Sequence, residues 1–289
     1  MAVVATGFFD GVHLGHRLVI DTLLSEARKR SEQSVIVTFW PHPRNVLQQD
    51  ARKLRLITSR NEKIEMMQSL GVDRVEVLPF TREFASLSAE RYISEVLPQF
   101  DCRRLVLGYD TRLGADLKGP SQIRELYPES VTVCAARDED GTIISSTKIR
   151  QALDSGNITI ASRMLGYQYE LSGIVVSGNQ LGRTIGFPTA NMQVCDPLKI
   201  IPARGVYLTE VETLGNRYSG MTNIGVRPTV SNAMMPVIET NIFDFDEMIY
   251  GLDIKLRFIR RIRDERKFSS LEALKAQLSI DREFCMKNR

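Results

Sequence analysis

The pattern of hydrophobic residues changes near residue 165, and this change limits the architectures that the chain can adopt. Before this point, β-branched runs such as Val35–Phe39 alternate with stretches of helical spacing such as Leu18–Arg30. After it, short runs of strand character are separated by turns that contain glycine, such as Leu214–Asn216. Alternating strands and helices are typical of a mainly parallel sheet with helices on both faces. Strands joined by tight turns are typical of a small antiparallel barrel or sandwich.

This change of pattern predicts two domains, and the length of 289 residues agrees with that number. We expect an α/β domain at residues 1–157, a linker helix at 158–167, and a small β-barrel or sandwich with a terminal helix at 168–289. The predicted strands are Ala2–Ala5, Val35–Phe39, Val75–Leu78, Leu105–Leu107, Val131–Ala135, Tyr169–Ser177, Val206–Thr213, Arg217–Met221 and Asp253–Phe258. The predicted helices lie after Gly15, around Ile64–Leu70, over Ala89–Leu97, from Ser145, over Ile158–Leu165 and over Leu271–Leu278.

Composition and charge exclude several classes of protein. The chain is 43% hydrophobic and 25% charged, as ordinary globular proteins are, which argues against extensive disorder. Its formal net charge of +3 is too balanced to indicate nucleic acid or an anionic membrane as the main partner. No apolar run approaches the roughly 20 residues of a spanning helix, and Ala2–Ala5 is too short for a signal peptide. No CxxC pair occurs, so we expect free thiols and a reducing, cytoplasmic location for the four cysteines, Cys102, Cys134, Cys195 and Cys285.

The segment Thr6–His16 connects the first predicted strand to the first helix and has glycine at positions 7, 11 and 15. In an open parallel sheet, ligands bind at the carboxyl ends of the strands, where helix N-termini present N–H groups. The glycines allow a phosphate to approach closely, and His13 and His16 can donate hydrogen bonds to charge that develops during phosphate transfer. Two alternatives remain: the histidines are solvated or cap the helix, or, with weaker support, they bind a metal.

A second segment, Ile144–Arg150, places hydroxyl and basic side chains at the start of a predicted helix. The hydroxyl groups of Ser145–Thr147 could serve as plain N-caps. Together with Lys148 and Arg150 they could also bind a triphosphate. The sequence contains neither GxxxxGK[ST] nor GxGxxG, so it indicates neither a P-loop nor a Rossmann dinucleotide site.

The C-terminal half contains a glycine-rich connection, Gly182–Asn191, which is either an ordinary turn or a loop that covers a nucleotide. Thr189 and Asn191 offer oxygen ligands of the kind that Mg²⁺ prefers. Glu239, a carboxylate among apolar neighbours, is a candidate general base, although its own pattern favours a paired strand residue. The basic run Arg257–Arg266 is interrupted by acidic and apolar residues, so it does not indicate nucleic-acid binding.

The N-terminal motifs resemble those of nucleotidyltransferases, and most closely the FMN adenylyltransferase half of the bacterial bifunctional riboflavin kinase/FAD synthetase family. The matching segments are GFFDGVHLGH (7–16), FWPHP (39–43), GYDTRLG (108–114) and ISSTKIR (144–150). The resemblance implies a Rossmann-like nucleotidyltransferase domain in which His13 and His16 are catalytic. It also implies that the residues in contact with ATP or FMN include Gly7, Phe8, Asp10, His42, Asp110, Ser146, Thr147 and Arg150.

The C-terminal motifs resemble those of riboflavin kinase. The matching segments are GRTIGFPTAN (182–191), IET (238–240) and IRDERKF (262–268). The resemblance implies that Thr189 and Asn191 organise Mg²⁺ and ATP and that Glu239 takes the proton from the riboflavin 5′-hydroxyl. It further implies that the residues binding ATP or the flavin include Gly182, Arg183, Thr184, Gly186, Pro188 and Arg263. Asn241 stands where the family often has histidine, and we assign it no role.

Together the resemblances imply two consecutive reactions: ATP phosphorylates riboflavin to FMN, and a second ATP adenylylates FMN to FAD with release of pyrophosphate. Mg²⁺ is the expected cofactor. The expected partners are these small molecules, without nucleic acid or membrane, and the chain is expected to be a monomer or a weak homo-oligomer. Three alternatives remain. The chain could retain one activity only, because Asp110 and Leu113 differ from the residues common in the family. It could be a nucleotidyltransferase like the class I aminoacyl-tRNA synthetases, or a module that binds nucleotide or flavin without catalysis.

Overall fold

The structure, a computed structural model, describes residues 1–47, 54–133, 135, 141–178, 181–228 and 234–289. They divide into two compact units, Met1–Ser146 and Thr147–Arg289. The strands are β1 (Ala2–Thr6), β2 (Gln33–Trp40), β3 (Arg74–Pro79), β4 (Cys102–Gly108), β5 (Ser130–Val133), β6 (Glu170–Val176), β7 (Ala190–Val194), β8 (Gly205–Thr213), β9 (Asn216–Pro228), β10 (Met234–Ile242) and β11 (Asp253–Arg263). The helices are α1 (Leu14–Arg30), α2 (Pro43–Leu47), α3 (Arg60–Ser69), α4 (Arg82–Ala85), α5 (Ala89–Arg91), α6 (Pro120–Leu126), α7 (Ser146–Asp154), α8 (Ile158–Leu165), α9 (Leu181–Thr184) and α10 (Leu271–Lys287).

The first unit is built on a five-stranded parallel sheet with the order β3-β2-β1-β4-β5. Its central strand, β1, is buried along its whole length. A strand covered on both faces must be apolar on both faces, and this explains the unbroken apolar run at Ala2–Ala5. The predicted Rossmann-like α/β fold of this unit is confirmed.

Two hydrophobic clusters cover the two faces of this sheet. On one face, Val3 and Ala5 pack with buried residues of α1 and with Met67 of α3. On the other face, Val4 packs with residues of the segment from Ala89 to Phe100. The sheet is therefore a rigid base for the loops at its carboxyl edge.

The segment after Ala89 differs from the single helix predicted over Ala89–Leu97. The chain forms one α-helical turn, then a π-helical stretch at Tyr92–Val96 and a 3₁₀-helix at Leu97–Phe100. Pro98 lacks an N–H group and cannot donate the backbone bond that a regular α-helix needs at this position.

The second unit is a closed six-stranded antiparallel barrel with the order β10-β7-β6-β11-β8-β9. The predicted barrel is therefore confirmed over the sandwich. The terminal helix α10 covers part of its outer surface, where Cys285 packs with Val206, Leu208 and Phe243. The inside contains the buried hydroxyl groups of Thr209, Thr222 and Thr240, which lie 2.9 Å apart in succession.

The sequence pattern gives no bounds for two barrel strands, β7 and β10, although it favours a paired strand residue at Glu239 of β10. The sequence of β7 follows directly on the glycine-rich connection, which obscured its alternation of apolar and polar residues. In β10, Pro236 argues against a strand. It is tolerated because β10 pairs with β7 only over Ile238–Thr240, so Pro236 has a partner strand on one side only.

Cys102, Cys195 and Cys285 are free thiols, and Cys134 lies outside the described residues. Among the helices of the described ranges, none has the length and apolar character required to cross a lipid bilayer. The helix α8 lies within the predicted linker 158–167, but the domain boundaries at 157 and 167 remain predictions.

Candidate active sites

The predicted residues of the N-terminal site lie at one edge of the parallel sheet. The loop Gly7–His13 follows β1, His42 follows β2, and Asp110 follows β4. Because β2, β1 and β4 are neighbours in the sheet and run parallel, their carboxyl ends meet at this edge. This is the position at which open α/β sheets bind ligands.

The two histidines of the HxGH segment stack on each other at the start of α1. Their ring centroids are 3.6 Å apart with an interplanar angle of 17°. His13 is the N-cap of the helix, because its Nδ1 atom accepts a hydrogen bond from the backbone N–H of His16 at 3.3 Å. The capping interpretation is therefore correct for His13, and it does not exclude catalysis. A neutral ring whose Nδ1 accepts carries its proton on Nε2, which can act as a donor.

His16 is held as an uncharged imidazole. Burial, the neighbouring His13 and the charge of Lys63 together hold the pKa of His16 well below its ordinary value. Its Nδ1 atom is buried and makes no hydrogen bond within the described part of the chain. Its ring also packs edge-on against Phe9 at 5.2 Å. At neutral pH the ring therefore offers a single N–H donor without a positive charge.

The loop between β1 and α1 has an unusual backbone. Phe9 and Val12 have φ angles of 54° and 36°, which residues other than glycine rarely adopt, and Gly11 has a φ angle of 84°. A Cβ atom on Gly11 would lie 2.9 Å from Ile57. Such conformations persist only where the surroundings determine them, and they are common at functional sites.

Asp10, which was predicted to contact ATP or FMN, instead has its carboxylate turned inward. Its Oδ1 atom accepts hydrogen bonds from the backbone N–H groups of Ile57 and Thr58, at 2.9 and 3.1 Å. The hydroxyl group of Thr58 in turn accepts from the N–H of Gly11 at 2.9 Å. These bonds indicate that Asp10 fixes the loop, and a direct contact of its carboxylate with a nucleotide remains untested.

The start of α7 is attached to the same loop. The hydroxyl group of Ser146 donates a hydrogen bond to the carbonyl of Asp10 at 3.0 Å. Thr147 and Arg150 follow in the first turns of this helix, with Arg150 Nη2 3.5 Å from Thr147 Oγ1. The structure thus joins Ser146 to the HxGH loop.

Phe8 and His42 are in contact at this edge, and a lysine that the sequence did not reveal lies beside them. The Phe8 and His42 rings pack edge-on at 4.0 Å. The ammonium group of Lys63 lies 4.0 Å from the centre of the Phe8 ring. Asp110 is exposed just beyond β4. Lys63 lies four residues before the buried Met67 on the same face of α3, but the sequence alone does not distinguish it from an exposed helical lysine.

In the second unit, part of the glycine-rich segment lines a cavity of about 330 Å³. Arg183, Pro188 and Thr189 contribute to its wall. The remaining lining residues are mostly apolar: Val175, Ala190, Thr240, Ile242, Phe245, Asp246, Glu247, Met248, Ile249 and Tyr250. An apolar cavity with a few polar groups is typical of sites for small organic ligands.

Glycine is required in the loop beside this cavity. The short helix α9 is formed by Leu181–Thr184, and the predicted binding residue Thr184 is its last residue. The N–H of Phe187 donates to the carbonyl of Gly182 at 2.8 Å. A Cβ atom on Gly182 would clash with the carbonyl oxygen of Phe187. Gly186 has a φ angle of 82°. The loop is thus a closed turn that only glycine permits at these points.

Glu239 lies between two asparagines on neighbouring strands. On β10 it is directly opposite Asn191 of β7 and Asn223 of β9. Glu239 is therefore a paired strand residue, and it also shares one face of the sheet with the predicted metal ligand Asn191. Asn241 donates from Nδ2 to the carbonyl of Pro188 at 2.7 Å, which ties β10 to the segment that carries Thr189.

Arg263, predicted to lie near the flavin or its phosphate, forms an ion pair. Its Nε and Nη2 atoms each lie 2.8 Å from Asp281 Oδ2 on α10. Asp281 is 2% exposed and also accepts from Gln277. Arg263 therefore fastens α10 to β11 in this structure, and its contact with the flavin remains a prediction.

Comparison with known proteins agrees with this division of the chain. Residues 1–148 match the family model of FAD synthetase, and residues 165–288 match that of riboflavin kinase. The bifunctional riboflavin kinase/FMN adenylyltransferase of Bacillus subtilis is 37% identical over 98% of this chain and 90% of its own length. The protein of the same name from Escherichia coli is 38% identical over 96% of this chain and 90% of its own length.

A crystal structure from Streptococcus pneumoniae, titled as a macrolide-efflux protein, superimposes with a TM-score of 0.93 and 34% identity. It covers 99% of this chain and 94% of its own. The family models and the curated relatives span both halves of the chain in the same order. The chain belongs to the family of bifunctional riboflavin kinase/FMN adenylyltransferases.

Proposed function

We propose that the two reactions of this enzyme family are carried out by the two residue sets described above, each within its half of the chain, with ATP as the second substrate of both. The chain is a riboflavin kinase and FMN adenylyltransferase: it forms FMN from riboflavin and FAD from FMN. The observation that carries the residue assignment is the stacked HxGH pair at the start of α1, where the loop after β1 ends at the carboxyl edge of the sheet.

In adenylyl transfer, a phosphate oxygen of FMN attacks the α-phosphorus of ATP, and the bond to the β-phosphate oxygen breaks to release pyrophosphate. The FMN phosphate is already an anion, so no general base is required. His13 and His16 would donate N–H groups to the charge that develops on the transferred and leaving phosphates. Ser146 would position the start of α7, with Thr147 and Arg150 as ligands of the ATP phosphates. Gly7, Phe8, His42 and Asp110 would border the nucleotide and the flavin.

In phosphoryl transfer, the riboflavin 5′-hydroxyl attacks the γ-phosphorus of ATP, and Glu239 would accept the hydroxyl proton. Thr189 and Asn191 fit Mg²⁺, because this ion takes few protein oxygens and retains phosphate oxygens and water. No cluster of three or more His, Cys, Asp or Glu residues occurs in the described ranges. The ion would neutralise phosphate charge. The cavity beside Thr189 would receive the nucleotide, with Arg183 at its wall.

The test is incubation of the chain with riboflavin, ATP and MgCl₂, followed by chromatography of the flavins. FMN should form first and FAD second; accumulation of FMN alone would support the single-activity alternative. A parallel reaction that starts from FMN tests the N-terminal half without the kinase. A cytoplasmic location, and a monomer or weak homo-oligomer without nucleic-acid or membrane partners, remain predictions.

Two variants separate the two sites. His16→Ala should lower FAD formation by about 10²- to 10³-fold and leave FMN formation unchanged, because it removes one donor from the transition state. Glu239→Gln should lower FMN formation by about 10²- to 10⁴-fold and leave FAD formation from added FMN unchanged. Loss of both reactions in either folded variant would show that the assignment is wrong.

A further inference from the structure

Lys63 is a buried charged side chain to which the mechanism above gives no role. It lies on α3 and is 1% exposed. Buried lysines are rare because the ammonium group loses its hydration. Here Nζ donates hydrogen bonds to the carbonyl of Phe8 at 2.8 Å and to the hydroxyl of Thr38 at 2.9 Å. The Thr38 hydroxyl donates to the same Phe8 carbonyl at 3.1 Å.

These bonds hold the strained loop of the HxGH segment from one side. The Phe8 carbonyl stands immediately before Phe9, the first residue of the loop with a positive φ angle. On the other side, Asp10 is bound by Ile57 and Thr58, which precede α3 in the sequence. The loop is therefore fixed by α3 and its approach segment, in addition to its own glycines.

Lys63 also brings positive charge to the loop. Burial lowers the pKa of Lys63 from 10.5 to about 8, and the carboxylate of Asp10 acts in the opposite direction. The side chain is thus still protonated at neutral pH. Burial is the largest cause of the lowered pKa of His16, and His13 and Lys63 add to it, because both electrostatically oppose protonation of its ring.

We propose that Lys63 is a positioning residue for adenylyl transfer: its buried ammonium group holds the Phe8 carbonyl and places a fixed positive charge beside Phe8, in the loop that leads to His13 and His16. This inference rests on the proposed role of the HxGH residues. An uncharged imidazole can donate its N–H to the charge that develops during the reaction, but it does not attract the ground-state triphosphate as a cation would. Its hydrogen bond therefore stabilises the transition state more than the bound substrate. The fixed charge meanwhile favours the approach of the anionic nucleotide.

Two substitutions separate the hydrogen bond from the charge. Lys63→Met removes both, whereas Lys63→Gln retains an N–H donor and removes only the charge. Lys29→Met is the matched control, because Lys29 is an exposed lysine of α1 in the same unit. Riboflavin phosphorylation by the same chain is an internal control. The ring signals of the three histidines can be followed by NMR titration of the protein without substrates.

The expected result is an upward shift of the His16 titration midpoint in both Lys63 variants, and none in Lys29→Met. FAD formation at neutral pH should fall by about 10- to 100-fold in Lys63→Met and less in Lys63→Gln, with FMN formation unchanged in both. The acid limb of the FAD pH profile should move with the His16 midpoint.

An unchanged His16 midpoint in either folded variant would overturn the proposal, as would equal loss of FMN and FAD formation. If neither variant folds, the wild-type titration decides: a His16 midpoint at or above the ordinary imidazole value overturns the proposal. The titration needs no activity, so failure of the adenylyltransferase assignment would appear separately, as absence of FAD in the wild-type reaction.

Discussion

Substitution of Lys63 by methionine should change how stability depends on pH. The unfolded lysine has a pKa near 10.5, and burial lowers the folded pKa to about 8. Between these values the unfolded chain binds more protons than the folded one, so the free energy of unfolding rises with pH. Below about pH 8 the folded protein bears the full cost of the buried charge. The difference between a pKa of 10.5 and one of about 8 corresponds to roughly 3 kcal/mol, and solvent screens the charge very little because the side chain is 1% exposed.

Methionine has a similar length and no charge, so Lys63→Met lacks this pH-dependent contribution. The difference in unfolding free energy between wild type and variant should therefore move in favour of the wild type by about 2.5 kcal/mol between roughly pH 7 and pH 10. Other titrating groups are common to both proteins and cancel in the difference. Urea unfolding can be followed by the fluorescence of the single tryptophan, Trp40, which lies on β2 and reports on the N-terminal unit alone.

A difference between wild type and Lys63→Met that stays constant over this pH range would refute the reasoning. It would show that Lys63 is either fully solvated or uncharged in the folded protein at neutral pH. Lys29→Met should give a constant difference, because Lys29 is 67% exposed.

Three further predictions concern other groups. Asp281→Asn should destabilise the barrel by about 3 kcal/mol, because it leaves the guanidinium of Arg263 without its buried partner; the thermal midpoint of riboflavin kinase activity measures this. Asn241→Leu should raise the KM for ATP in FMN formation more than it lowers kcat, because the bond to Pro188 positions the segment before Thr189; steady-state kinetics measure both. The pKa of His16 is depressed, so its ring stays neutral as pH falls through the ordinary histidine range, and FAD formation should show no acid limb near pH 6.5 that belongs to His16.

For each of these three predictions, a specific experimental result would contradict the reasoning. Glu283→Gln, an exposed substitution on the same helix as Asp281, should change the thermal midpoint very little. Equal effects of the two substitutions would contradict the role given to the buried pair. A fall in kcat without a change in KM would contradict the role given to Asn241. An acid limb near pH 6.5 that His16→Gln abolishes would contradict a neutral His16.

The elements that could be predicted from the sequence are those whose burial leaves a local pattern. The apolar run at Ala2–Ala5 and the β-branched run at Val35–Phe39 predicted strands that are indeed central in the sheet. Once the parallel sheet was predicted, the HxGH segment had to lie at its carboxyl edge, since it follows the first strand. The sequence alone therefore predicts where this site lies in the fold.

The contacts that could not be predicted are those whose partners are distant in sequence. The sequence motifs do not indicate that the carboxylate of Asp10 binds Ile57 and Thr58. Nor do they indicate that Arg263 forms an ion pair with Asp281. Lys63 is read from sequence as an ordinary charged residue of an amphipathic helix, and its burial depends on the position of the Phe8 loop. Charged residues can take surface or interior positions, and only the tertiary fold decides between them.

The closed barrel determines the order in which the two units can fold during translation. Every pairing of the parallel sheet uses strands that precede residue 134, so the first unit can fold while the remainder is still being translated. The barrel closes through β6 and β11, which lie at opposite ends of the second unit's strand sequence. Until β11 has emerged, the nascent chain carries an open strand edge along β6, the kind of edge on which chaperones act and neighbouring chains aggregate. Translation pauses before residue 263 should therefore harm FMN formation far more than FAD formation from added FMN.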